Sequence, residues 1–121
     1  MVEDDPDARE LVTAVLEQAG ANVQSEDCAA KGFDAVSSFR PQLLVSDIAM
    51  PDEDGYSLVR RIRALEAEKG GEIPCIAVTA FTGPEDRKRA LAAGFNKHIG
   101  KPVDPAYLVA TIGDLAGVVS S

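Results

Sequence analysis

Three short apolar runs, each breaking off at a polar residue and each set apart by a segment of helical period, leave this chain few folds to choose among. The clearest is Leu43-Leu44-Val45, between Pro41 and Asp47. It is too short for a helix and suits a strand buried on both faces. Pro74 to Thr79 repeats the pattern, and a last short strand is expected near Lys97 to Ile99. Ala21 to Glu26, around Val23, reads as a further strand.

The segments between these runs carry the helices. Ala8, Leu11, Val12, Val15, Leu16 and Ala19 recur at helical spacing behind Asp5 as N-cap and Pro6 in the first turn, with Gly20 closing the helix. Ala29, Phe33 and Val36 mark a second helix behind Asp27, and Tyr56, Leu58, Val59, Ile62 and Leu65 a third that ends before Gly70 and Gly71. Pro84 opens a fourth, closed by Gly94. Asp104 and Pro105 cap a fifth whose face is Leu108, Val109, Ile112 and Leu115. Such alternation, with buried strands and short loops, implies an α/β architecture: a parallel sheet covered by helices on both faces.

Residues 1–121 fit one domain, with no repeat or linker to divide it. Aromatic residues are only 5% and Trp is absent, so the core must be built from Ala, Val, Leu and Ile. A formal net charge of -8 opposes the counterion release that drives nucleic-acid binding and disfavours anionic membrane surfaces. Neither is expected as a direct partner. The apolar runs are far shorter than a membrane span and the amino terminus carries acids where a signal peptide carries bases, so a cytoplasmic location is expected. Cys28 and Cys75 lack C-x-x-C spacing and read as reduced core thiols.

In an open parallel sheet the loops leaving the carboxyl ends of the strands gather along one edge. Here that edge collects Glu3 and Asp4, Asp47, Thr79 with Ala80, and Lys101 with Pro102. Singly, each has an ordinary reading: a cap or turn for Asp4 and Asp47, a solvated charge for Glu3, a β-branched strand residue for Thr79, a surface lysine for Lys101. Together they do not, because three acids from two strands repel one another and raise at least one pKa unless a cation stands among them. Hard oxygen ligands suit Mg²⁺. An Asp so placed can attack a phosphorus centre if a metal, a lysine and a hydroxyl neutralise the transferring oxygens, and Asp47, Lys101 and Thr79 supply the protein's share.

Val2-Glu3-Asp4-Asp5, the segment Asp47-Ile48-Ala49-Met50-Pro51 followed by Asp54-Gly55, the pair Thr79-Ala80, and Lys101-Pro102 resemble, in order and spacing, the motifs of the receiver domain of two-component response regulators. The resemblance runs essentially end to end. It implies a flavodoxin-like doubly wound sheet of five parallel strands, order 2-1-3-4-5, with five helices. It also implies a signalling switch that catalyses only its own phosphorylation and dephosphorylation. Asp47 is then the phosphoacceptor for a histidine kinase phosphohistidine or a phosphotransfer protein. Asp4 holds Mg²⁺ directly and Glu3 through water, joined by Asp47 and the backbone carbonyl of Ala49. Thr79 and Lys101 contact the phosphoryl group.

Thr79 and His98 form the implied switch. Thr79 turning inward vacates space for His98 and alters the face made by the fourth helix, the fifth strand and the fifth helix, which a downstream effector reads. The Lys101–Pro102 bond is expected to be cis. Ala49 and Phe81 occupy the positions that tune access of the hydrolytic water, and neither can orient one. Arg60, Arg61 and Arg63 read as the solvated face of the third helix, and Arg87, Lys88 and Arg89 as that of the fourth.

The sequence departs from the family at its start. Only Met1 and Val2 precede the acidic pair, against a usual strand of ~5 residues. Either the sequence begins inside the domain, or the sheet makes do with a truncated first strand that costs stability and leaves its neighbours partly unpaired, open to homodimer formation. The alternative function is a pseudo-receiver, a protein-interaction module that works without phosphorylation. Glu3, Asp4, Asp47 and Lys101 stand against it. A phosphatase is disfavoured by Ala49 where a second acid would stand, and a flavin or nucleotide carrier by the lack of a Gly-rich phosphate loop.

Overall fold

The structure, a computed structural model, describes residues 1–39, 41–49, 53–66, 68 and 70–120, with side chains as far as Leu115. The Met50-Pro51 part of the motif lies outside the described residues. The elements run in the order α1 (Pro6–Gln18), α2 (Ala29–Phe39), β1 (Leu44–Asp47), α3 (Gly55–Arg63), β2 (Cys75–Thr79), α4 (Pro84–Ala93), β3 (Lys97–Gly100) and α5 (Pro105–Ser120). The strands form a parallel sheet, β1-β2-β3, with Asp47 opposite Val78 and Thr79 opposite Gly100.

Val2 extends the sheet beyond β1. Its N–H donates to the Val45 carbonyl at 2.8 Å and its carbonyl accepts from the Asp47 N–H at 2.9 Å, while the Glu3 N–H donates to Glu26 at 3.0 Å. Val2 thus bridges Ser46 on one side and Glu26 on the other, both parallel. The positions follow the doubly wound order 2-1-3-4-5, but among the described residues three of them hold strands. The physical reason is the short first line. With only Met1 and Val2 beside it, the segment expected as a strand from Ala21 to Glu26 pairs as sheet only at Glu26.

Both faces of the sheet are covered, which is why its strands read as unbroken apolar runs. Leu44, Cys75 and Ala77 point into one core with Val36 of α2 and Leu58 and Ile62 of α3. Val45, Ile76 and Val78, the alternate positions, point into the other with Val12 and Leu16 of α1 and Leu108 of α5. The caps fall where the sequence places them. Asp5 Oδ1 accepts from the Asp7 N–H at 3.2 Å and Asp104 Oδ1 from the Ala106 N–H at 3.0 Å.

Cys75 is wholly buried, and desolvation pushes its thiol up to about 11 against the opposing charge of Arg63. The neutral thiol is therefore the folded form, and its contribution to stability, full below the unfolded thiol's pKa, is lost as pH rises through about 11. At about pH 8, iodoacetamide is expected to alkylate the half-buried Cys28 and to spare Cys75 until the protein is denatured. Peptide mapping reads both sites. Equal rates in the native protein would contradict this packing.

Candidate functional site

Each strand end delivers one part of the site. β1 stops at Asp47, and Glu3 and Asp4 follow Val2 directly beside it. Lys101 leaves β3 with its N–H on the Thr79 carbonyl at 2.8 Å, followed by a cis peptide to Pro102. These backbone ties bring together side chains that are distant in sequence. Lys101 Nζ donates to Glu3 Oε1 at 2.7 Å and to Asp47 Oδ2 at 3.2 Å. Asp47 Oδ1 accepts the Ile48 N–H at 2.8 Å, so both carboxylate oxygens are directed.

Carboxylate oxygens of Glu3, Asp4 and Asp47 lie within 4.8 Å of one another. Glu3 and Asp47 are 1% and 5% exposed, so their repulsion is poorly screened by solvent. Burial pushes the Glu3 carboxyl up to about 7, helped by Asp47 and opposed by Lys101. Desolvation works against the Lys101 charge, yet Glu3 and Asp47 outweigh it and hold the ammonium above its ordinary range. Glu3 Oε2 is buried and has no hydrogen-bond partner among the described residues. An unpaired acceptor among three acids and one cation fits a hydrated divalent ion, which brings charge and water donors together.

Arg9 and Gly55 support this cluster, and their roles were not evident from the sequence. Arg9 Nη1 on α1 donates to the Glu3 carbonyl at 2.8 Å, tying the helix to the acidic pair. Asp54 caps α3 by accepting the Ser57 N–H at 2.9 Å, and the next residue, Gly55, donates its N–H to Ile48 at 2.9 Å. A Cβ on Gly55 would overlap the Asp47 carbonyl oxygen and crowd the Ile48 Cα, and neither backbone atom can step aside. Gly55→Ala is expected to cost ~1–3 kcal/mol and lower the melting temperature. An unshifted melt would show that this contact is slack.

Thr79 is fully buried at the end of β2, and its hydroxyl accepts the Phe81 N–H at 3.0 Å instead of meeting the acids. His98 donates from Nε2 to the Phe81 carbonyl at 3.0 Å. The backbone of one residue, Phe81, therefore joins the two residues read as a switch. Ala49 lies past the end of β1 beside a cavity of about 280 Å³, shared with Phe81, Tyr56 and Arg89. The Arg89 guanidinium stacks over the Tyr56 ring at 4.2 Å and Arg61 over Phe33 at 4.2 Å, so neither is only a solvated charge. Arg63 corrects the sequence reading more strongly: its guanidinium donates to the carbonyls of Gly71, Ile73 and Gly94 and to Asn96 Oδ1. Its aliphatic period is that of α3, but the carbonyls ending neighbouring segments converge on its head group.

Residues 1–113 match the family model described as the response regulator receiver domain. The chain belongs to that family. As a receiver it is 45% identical over 109 residues to an uncharacterized 14.6 kDa protein from the sodA1 3' region of Leptolyngbya boryana, covering 90% of this chain and 82% of the relative. It is 36% identical over 121 residues to the transcriptional regulatory protein CssR of Bacillus subtilis, covering 98% of this chain and 51% of CssR. The chain spans about half the length of the transcriptional regulators it matches.

Among solved structures, it is 32% identical, at a TM-score of 0.87, to the receiver domain of sensor histidine kinase PA1611 from Pseudomonas aeruginosa. That match covers 96% of this chain and 93% of the other, which holds a magnesium ion coordinated in its active-site cleft. A putative response regulator from Chloroflexus aurantiacus superposes at a TM-score of 0.89 with 27% identity, over 96% and 93% of the two chains. These relationships place the chain among receivers of two-component signalling and do not favour the phosphorylation-independent reading. Among the described residues no helix is long and apolar enough to cross a membrane.

Proposed function

We propose that this receiver takes a phosphoryl group onto Asp47 from a phosphohistidine, supplied by a histidine kinase or phosphotransfer protein, and that Mg²⁺ is held by Asp4, Asp47 and the Ala49 backbone carbonyl with Glu3 acting through water. The observation that carries this is Lys101 Nζ bridging Glu3 and Asp47 at the head of β1. A bound Mg²⁺ would neutralise carboxylate and phosphoryl oxygens together. The chain's own residues do the rest. The Ile48 N–H fixes one oxygen of Asp47, and the carboxylate attacks phosphorus. The new O–P bond forms as the P–N bond breaks, the electron pair returning to the imidazole nitrogen, which takes up a proton. Lys101 then pairs with the phosphoryl oxygens.

The output follows from a change of hydrogen-bond partner. When the Thr79 hydroxyl turns to donate to the phosphoryl group, it gives up the Phe81 N–H, and the Phe81 backbone is released from one of its two holds while His98 still grips its carbonyl. The surface formed by α4, β3 and α5 moves with it, and its exposed Leu91, Tyr107 and Val109 offer an effector or a second copy an apolar contact. Moving such a switch from 1:99 to 99:1 takes about 5.5 kcal/mol, within reach of several charge-assisted bonds.

The test uses acetyl phosphate with and without Mg²⁺, read by intact mass and by amide NMR signals of Phe81 and His98. One phosphoryl group is expected, only with Mg²⁺, and both signals shift. Lys101→Ala is expected to be labelled more slowly and to lose the shifts, because the phosphoryl group then lacks the cation that distinguishes the two states. Full shifts in the labelled Lys101→Ala protein would rule out that coupling.

A further inference from the structure

Arg9 lies half-buried in the first turn of α1, and it reaches back to carbonyls on either side of Asp4. Its N–H donates to the Asp5 carbonyl at 2.9 Å, and its Nη1 donates to the Glu3 carbonyl at 2.8 Å. The first bond is open to any residue that continues the helix. The second is made by the side chain alone, and because a peptide unit is planar it fixes the orientation of the Glu3–Asp4 peptide from which Asp4 departs.

Asp4 depends on that support more than the other two acids do. Glu3 is held at its N–H by Glu26 and at its carboxylate by Lys101, and Asp47 is held by Lys101 and the Ile48 N–H. The Asp4 carboxylate has no hydrogen bond or ion pair among the described residues, although it shares the 4.8 Å cluster with both. Its direction is therefore set by the backbone. Arg9 has no carboxylate within ion-pair distance among the described residues either, so an ordinary salt bridge does not account for where its guanidinium sits.

We propose that Arg9 is a positioning residue for Mg²⁺: by clamping the Glu3–Asp4 peptide it aims Asp4 at the ion, and it does so against the effect of its own charge. This role rests on the Mg²⁺ site formed by Glu3, Asp4 and Asp47. Charge and positioning act with opposite signs here. A guanidinium beside three acids repels an incoming dication, so by charge alone its removal would tighten Mg²⁺ binding. Loss of a group that orients a metal ligand instead weakens binding, by about 10–100-fold. The direction of the change decides between them.

The experiment titrates Mg²⁺ into the parent, Arg9→Met and Arg9→Lys with no phosphodonor present, follows the amide NMR signals of Asp47 and Ile48, and checks each protein by a thermal melt. Arg9→Met keeps the length of the stem and loses both donor and charge. Its Kd for Mg²⁺ is expected to rise about tenfold or more. Arg9→Lys keeps the charge and a donor, and since Arg9 makes one bond to the Glu3 carbonyl and no bidentate pair, its Kd is expected to stay close to the parent's. Binding by Arg9→Met as tight as the parent's, or tighter, would overturn the role of Arg9 and leave the metal site standing. Arg9→Lys binding as weakly as Arg9→Met would overturn the single-bond clamp. A parent whose signals ignore Mg²⁺ would overturn the metal site itself, and the role of Arg9 with it.

Discussion

Asp47→Asn is expected to reduce phosphoryl labelling from acetyl phosphate in Mg²⁺ by at least about a thousandfold, the scale on which removing a nucleophile acts. The amide is nearly the same size, and its oxygen still accepts the Ile48 N–H that Asp47 Oδ1 takes at 2.8 Å, so the loop after β1 keeps its support. What changes is chemistry. A neutral amide is a poor nucleophile toward phosphorus, and it removes one of the three negative charges expected to hold the metal. Lys101 loses its 3.2 Å partner but keeps Glu3 at 2.7 Å, which holds the ammonium in place. Intact mass before and after incubation is the measurement, with a thermal melt to verify folding. Labelling at the parent rate would remove Asp47 from its proposed role.

Much of this site was legible because its parts sit where the fold must put them. Acids and a lysine that follow buried apolar runs are delivered to one edge of a parallel sheet, and Glu3, Asp47 and Lys101 do meet there. The strands were equally plain where both neighbours are present, as at Leu44–Asp47 and Cys75–Thr79. The segment before Glu26 was not. Its residues have strand composition, but a strand is made by its neighbours, and among the described residues it pairs as sheet at Glu26 alone, with Val2.

The supporting contacts were hidden for a related reason. Gly55 is explained by what a Cβ would strike on another segment, and Arg9 by a carbonyl on the preceding strand line. The link from Thr79 to His98 runs through the backbone of Phe81, whose side chain carries no part of it. Side-chain identity announces chemistry and periodicity announces burial. Bonds to main-chain groups leave no residue type to read.

Arg63→Ala is the substitution expected to cost most in stability, about 3 kcal/mol, which would lower the melting temperature by roughly 10 °C. The guanidinium reaches Ile73 at 2.7 Å, Gly94 at 2.9 and 3.0 Å, Gly71 at 3.0 Å and Asn96 Oδ1 at 2.9 Å. Through Asn96, which also accepts the Cys75 N–H at 2.8 Å, the network anchors the start of β2. Truncation takes this donor from the Gly71, Ile73 and Gly94 carbonyls while Asn96 Oδ1 keeps only the Cys75 N–H, a loss larger than that of an exposed arginine. Arg63→Lys is expected to recover little, because one ammonium on a flexible stem cannot span carbonyls from the α3–β2 and α4–β3 connections at once. Urea melts of the three proteins decide the matter: a lysine variant as stable as the parent would mean that charge alone, and not the planar fork, holds these segments together.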